Sequence, residues 1–299
     1  MTRALVVGRK RKDRHIGRAV REVRAALEAA GWKVDSAVVE RRSELRRRTG
    51  RAVRDGYDVV VAVGGDGAVH EVATALTGTH AALGIIPMGT GNLLAGNLGI
   101  PSRVDEAART VISGTRRIID VGRATVDTKS YVFAVACGIG FDADVMDATQ
   151  SRTKRRWGKL AYFAGAVAAR GRVRNVTHEI TLDGVKRTTK AAEVMIANFG
   201  RMTAGLSPRR PVLPDDGLLD VIVIQASGPI RAVAATLEAL WQTELGVSAG
   251  GHVFRAQARK VRISTTRPRL VEIDGSVVGR TPVRMSIRPA ALTVIVPEM

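Results

Sequence analysis

An apolar run at residues 58–63 is followed at once by Gly64-Gly65-Asp66-Gly67 and then by a helical pattern over 68–76. A buried strand, a glycine turn and a helix start in that order commit the segment to a β/α unit. Three glycines in four positions permit positive φ and remove Cβ atoms, so successive backbone N–H groups can converge on a phosphate at the positive end of the helix. The same residues also suit a plain turn that holds no ligand. Asp66, the single side chain in the turn, would face that phosphate. A carboxylate there repels phosphate unless it holds a metal or accepts a proton from an attacking hydroxyl, and either role belongs to phosphoryl transfer. A second apolar run, 83–86, ends in Pro87-Met88-Gly89-Thr90-Gly91-Asn92. Pro87 closes the strand, the glycines loosen the backbone, and Thr90 and Asn92 offer a hydroxyl and an amide to phosphate or ribose oxygens. Two such loops at the carboxyl ends of consecutive strands would lie side by side, where open α/β sheets bind ligands.

The alternation extends through the first part of the chain. Residues 4–7 read as a strand, and Ile16, Val20, Val23 and Leu27 set an apolar stripe on a helix closed by Gly31. A strand at 33–38, an Arg-rich helix at about 43–54 and a helix at 104–112 complete a β/α pattern that implies a parallel sheet. From Arg116 onward strand-like runs dominate, at 118–126, 131–136, 178–182, 191–197, 218–224, 261–264, 270–273 and 283–287. Helical stretches interrupt them only near 156–169 and 230–245. This part reads as an antiparallel β-sandwich.

With 47 Lys and Arg against 28 Asp and Glu, the net charge is +19, a field that attracts polyanions. Between Asp147 and Glu179 there is no acidic residue, while eight Lys and Arg fall there and Trp157, Leu160, Ala164 and Val167 recur at helical spacing. A basic amphipathic helix lying on an anionic membrane surface fits this pattern, as does a helix whose charges are merely solvated. Aromatics at 4% disfavour stacking platforms, and nucleic acid is not an expected partner. No apolar stretch approaches the roughly 20 residues that span a bilayer, and the amino terminus is a short strand followed by charge instead of a signal peptide. The expected location is the cytoplasm with peripheral membrane association. The lone Cys137 forms no internal disulfide and reads as a small buried side chain. A homodimer is compatible with the sequence.

The pair GGDG and PMGTGN, in this order and spacing, resembles the catalytic domain of the diacylglycerol kinase, bacterial lipid kinase and sphingosine kinase superfamily. Residues 137–143 (CGIGFDA) resemble its G-x-G-F-D-A segment, residues 214–220 (PDDGLLD) its D-D-G-x-L-D segment, and Asp274-Gly275 the start of its D-G-E. The resemblance implies a Rossmann-like, NAD-kinase-like nucleotide domain over 1–121, to which about 290–299 returns, and a β-sandwich lipid-substrate domain over 122–289. It implies that Gly64, Gly65, Gly67, Gly89, Thr90 and Asn92 hold ATP and that Asp66 acts at the phosphates. Asp216 and Asp220 would belong to a magnesium and water network. A lipid alcohol, diacylglycerol above all, would be the acceptor. Three departures accompany it. Val7-Gly8-Arg9-Lys10-Arg11-Lys12 replaces the usual N-P-x-S/A-G loop, Ala68 the usual Thr, and Ser276 the D-G-E glutamate that serves as base. Asp66 or Asp274 would then substitute as base; a binding relative without turnover, or a kinase of a soluble nucleotide such as NAD, are the alternatives.

Overall fold

The computed structural model describes residues 1–10, 15–140, 175–200, 212–225 and 252–298. The expected helices near 156–169 and 230–245, and the basic stretch between Asp147 and Glu179 up to residue 174, lie outside them. The chain divides into two compact units, Met1–Val121 with Pro289–Met299, and Gly122–Arg288.

In the first unit, strands that are apolar throughout are buried on both faces, the condition of a parallel sheet clothed by helices. The element order is β1 (Arg3–Arg9), α1 (His15–Ala29), β2 (Lys33–Val39), α2 (Arg42–Arg54), β3 (Val59–Gly64), α3 (Asp66–Leu76), β4 (Ala82–Pro87), α4 (Leu93–Asn97) and α5 (Val104–Ser113). Every residue of β3 and β4 is buried. The sheet runs β2-β1-β3-β4 in parallel, and the end of β16 (Val283–Val296) adds beside β4 through Val294 and Leu83. On α1 the stripe Ile16, Val20, Val23 and Leu27 is buried, and Gly31 takes the positive φ of 82° that turns the chain toward β2.

The second unit is an antiparallel sandwich. One sheet runs β16-β13-β8-β9, built from β8 (Val176–Leu182), β9 (Val185–Ala191), β13 (Lys260–Thr265) and the start of β16. The other runs β12-β11-β10-β7-β14-β15, from β7 (Ala136–Gly140), β10 (Glu193–Ala197), β11 (Leu219–Gln225), β12 (His252–Ala258), β14 (Leu270–Ile273) and β15 (Ser276–Arg280). Ile180, Val261, Ile263 and Met285 of the first sheet share one core with Ile139, Val194, Ile196, Val221 and Val271 of the second. The hairpin of β5 (Thr115–Val126) and β6 (Lys129–Phe133) adds Ala124, Val126 and Phe133 to it.

The α/β architecture is the expected one; several elements differ in detail. The single strand expected at 131–136 is two, β6 and β7. The Asp274 carboxylate accepts the N–H groups of Ala134, Val135 and Ala136, at 2.9, 3.1 and 3.0 Å, and so bends the chain between them. The run expected at 191–197 likewise divides, with β9 ending at Ala191 and β10 starting at Glu193. Conversely, 283–287 and 292–296 belong to one strand, β16, with Ala290 at φ 48° where its N–H donates to Asp120 Oδ1 at 2.7 Å.

Candidate functional site

The two glycine loops meet because β3 and β4 pair in register up to Gly64 opposite Pro87, so both chains leave the sheet at the same level. Met88 N–H donates to the Gly64 carbonyl at 2.9 Å. Beyond it the backbones touch: a Cβ on Gly65 would lie 2.9 Å from Gly89 Cα, and one on Gly89 2.6 Å from Gly65 Cα. No side chain fits at either position, and the glycines are a packing requirement.

Asp66 is the first residue of α3, and its carboxylate crosses to the second loop. Oδ2 accepts from Asn92 N–H at 2.9 Å and Oδ1 from Leu93 N–H at 2.5 Å, so Asp66 caps the start of α4. Asn92 adopts the left-handed conformation (φ 49°) and closes its own loop, Oδ1 accepting from Gly89 N–H at 2.8 Å and Nδ2 donating to the Gly89 carbonyl at 2.9 Å. Thr90 is exposed at the tip between them. Asp66 is therefore the strut between the loops. Two of its roughly four lone-pair sites are used, which leaves the carboxylate able to accept more. The N–H groups of Asp66 and Gly67 open α3, have no acceptor within the helix and are donors of the kind an anion can accept from.

One residue here escaped the sequence reading. Arg42, the first residue of α2, lies over the turn, such that a Cβ on Gly67 would fall 2.8 Å from its guanidinium carbon and Nη2. The Arg46–Glu71 ion pair, 2.9 Å, ties α2 to α3 and helps to keep it there. A planar cation beside a helix start suits phosphate oxygens. The sequence offered only a helix rich in arginine, with nothing in the spacing to single this one out. Lys10, at the end of β1 where the unusual basic loop begins, lies 3.9 Å from Glu40; Arg11 and Lys12 are outside the described residues. The amides, the guanidinium and the hydroxyl of Thr90 are donors suited to the oxygens of a nucleoside triphosphate.

The remaining candidates lie in the second unit. Asp220, on β11, is buried, and Arg255 holds it, Nε and Nη2 reaching Oδ1 at 2.8 and 2.7 Å. Gln257 Nε2 reaches both Asp220 Oδ2 and Asp216 Oδ2, each at 3.3 Å, and Asp216 Oδ1 accepts from Leu218 N–H at 2.9 Å. Asp220 is thus already neutralised by a guanidinium. Among the described residues no group of three His, Cys, Asp or Glu side chains is placed to hold a metal ion. The donor set at this pair fits its guanidinium and amide network and by itself falls short of the oxygen shell magnesium takes.

Asp274 and Gly275, at φ 43° and 84°, form the two-residue turn between β14 and β15, the positive-φ pair of a type I′ hairpin. Glu272 closes it by accepting the Gly275 N–H, and Ser276 starts β15, half-buried. Burial, and after it the charges of Glu272 and Asp274, push the Cys137 thiol well above its ordinary range, so it stays protonated and unreactive. Asp220 pairs across the sheet with Ala197, Ala197 with Ala136, and Asp274 N–H donates to the Ala136 carbonyl at 3.1 Å. Asp220 and Asp274 therefore stand at the same end of one sheet, three strand spacings or roughly 14 Å apart.

Residues 4–124 match the model of the diacylglycerol kinase catalytic domain, and residues 135–296 that of the YegS C-terminal NAD kinase beta sandwich-like domain. A diacylglycerol kinase of Mycobacterium tuberculosis is 31% identical over 85% of this chain and 82% of its own length. A Pseudomonas savastanoi protein named as a YegS-like lipid kinase is 29% identical over 93% and 88%. The Synechocystis protein sll0036 is 30% identical over 81% of this chain, which spans 56% of that relative. A crystal structure of a diacylglycerol kinase from Bacillus anthracis superposes with a TM-score of 0.73 at 22% identity, covering 99% of this chain and 96% of that one, a likeness of fold. With the sandwich model matching more than half of the residues, and that identity to the mycobacterial kinase, the chain belongs to the diacylglycerol kinase and YegS-like lipid kinase superfamily, a family of phosphotransferases.

Proposed function

We propose that the chain transfers the terminal phosphoryl group of ATP to the hydroxyl of a lipid alcohol, diacylglycerol in the first place. The observation that carries this reading is the Asp66 bridge, which fixes two glycine loops against each other and leaves an acidic side chain between them. ATP supplies the phosphoryl group. The Asp66 and Gly67 amides at the start of α3, the Arg42 guanidinium and the Thr90 hydroxyl orient the phosphates and offset the charge that builds on the transferring group. Asp66, with lone pairs to spare, accepts the proton of the attacking lipid hydroxyl. Asp274 is the poorer base, because both of its oxygens serve three backbone amides. The name of the mycobacterial relative favours diacylglycerol. No helix among the described residues is long and apolar enough to cross a membrane.

A second reading, a relative that binds but turns over poorly, is favoured by Ser276, since a hydroxyl cannot act as base near neutral pH and losing general-base help lowers rates about 10²- to 10⁴-fold. One assay separates the two: label transfer from γ-labelled ATP to a panel of lipid alcohols, with NAD as a soluble control, for the wild type, Asp66→Asn and Ser276→Glu. The kinase reading expects a labelled lipid with the wild type, at least about 100-fold less with Asp66→Asn, and little change with Ser276→Glu. A wild type that labels nothing while Ser276→Glu does would establish the impaired relative. Labelled NAD would overturn both.

A further inference from the structure

The outward face of the β16-β13-β8-β9 sheet takes no part in the site described above. Because alternate residues of a strand face opposite ways, the burial of Val261, Ile263, Val283 and Met285 turns Lys260, Arg262 and Arg284 to solvent. On β9, Lys186 and Lys190 point the same way, opposite the outward Thr181 and Thr177 of β8, and Arg123 of β5 lines the same shallow basin. Strand register sets Arg262 directly opposite Arg284. Like charges across a ladder weaken the pairing, so this fold holds two guanidinium groups together at a cost in stability. Glu179 is the single outward carboxylate of β8, and Lys186 takes it at 2.7 Å. Asp183, at the nearby turn, is spent on the N–H groups of Arg259 and Lys260. Among the described residues, Lys260, Arg262 and Arg284 make no ion pair.

We propose that this face docks on an anionic phospholipid bilayer, with head-group phosphates seated between Arg262 and Arg284. Charge complementarity argues for that occupant. A sheet face carrying six cations against one carboxylate, with Thr125, Thr181 and Ser286 as hydroxyl donors in the same basin, presents to a plane of phosphates the donors they accept from. None of the side chains named on this face is aromatic, which argues against a stacking platform for single-stranded nucleic acid. The proposal rests on the lipid-kinase reading only for why the chain should meet a bilayer at all.

Sedimentation with phosphatidylcholine vesicles, with and without phosphatidylglycerol, tests it. Each cation at such a surface strengthens binding on the order of five-fold, so the variant Lys260→Gln/Arg262→Gln/Arg284→Gln should bind anionic vesicles roughly 100-fold more weakly. A control removing the same charge elsewhere, Arg21→Gln/Lys33→Gln/Arg48→Gln, should lose no more than a few-fold, and wild-type binding should fade with added salt. Both variants change exposed side chains, and matching melting temperatures establish that they fold. Wild-type binding by the face variant, an equal loss in the control, or loss of tRNA binding in a protein that ignores vesicles would each overturn the proposal. Phosphorylation of a water-soluble short-chain diacylglycerol should be unchanged in the face variant. A wild type that phosphorylates nothing, beside a face variant that loses vesicles, sinks the kinase reading and supports the docking face.

Discussion

Gly65 shows how little of a binding site its residue type declares. Its backbone is extended, at φ −90° and ψ −175°, which alanine adopts freely, so nothing about conformation demands glycine there. The demand comes from Gly89, whose Cα would stand 2.9 Å from a Cβ. Gly65→Ala must therefore push the second loop away and stretch the bonds from Asp66 to Asn92 and Leu93. The overpacking is expected to cost about 1–3 kcal/mol, and ATP affinity by calorimetry should fall at least about tenfold while the circular dichroism of the fold persists. Unchanged affinity would mean that the junction of the loops does not hold nucleotide. The sequence showed that glycines cluster at both strand ends, because turn chemistry is local. It could not show that Asp66 reaches the amides of the other loop, nor that Arg42 covers Gly67, because both contacts join segments whose approach only the sheet register decides.

The elements that could be read from sequence were those with a strong apolar period. Strands β1, β3 and β4 and helix α1 carry buried runs or stripes that leave no competing assignment. Strands β9 and β15 were missed since β9, VKRTTKA, is mostly exposed and β15, SVVGR, is short and has no fully buried residue, and both take their form from the neighbour that pairs with them. The short helix α4 was missed for a related reason: its cap, Asp66, belongs to another element. The break between β6 and β7 is held in the same manner from a distance of 138 to 140 residues by Asp274. Hydrogen bonds to a charged acceptor contribute about 1.5–3 kcal/mol each, and partial exposure of the bend lets water replace some of them, so Asp274→Ala should lower stability by about 3 kcal/mol in urea titration. A loss below about 1 kcal/mol would show that strand pairing alone shapes the bend.

Across the whole chain, charge is the property that the fold leaves unbalanced. The ion pairs among the described residues are mostly exposed and local, as in Arg18–Glu22, Arg24–Glu28 and Arg109–Asp105, and pairs of that kind contribute at most about 1 kcal/mol each. Against them stands a net charge of +19, whose mutual repulsion disfavours any compact state and is spread over more groups than the pairs can match. Salt screens both, with a Debye length of about 10 Å at 0.1 M falling to about 3 Å at 1 M. Contacts at 3 Å are weakened less than repulsions acting across 10 Å or more, so screening should relieve the second more than it erodes the first. Raising sodium chloride from 0.05 to 0.5 M is therefore expected to increase the melting temperature, roughly 2–4 °C for each kcal/mol of repulsion removed. Differential scanning calorimetry in a chloride series measures this, with chloride chosen because sulfate would also bind the cationic face. A melting temperature that falls with salt would mean that the surface pairs outweigh the excess charge.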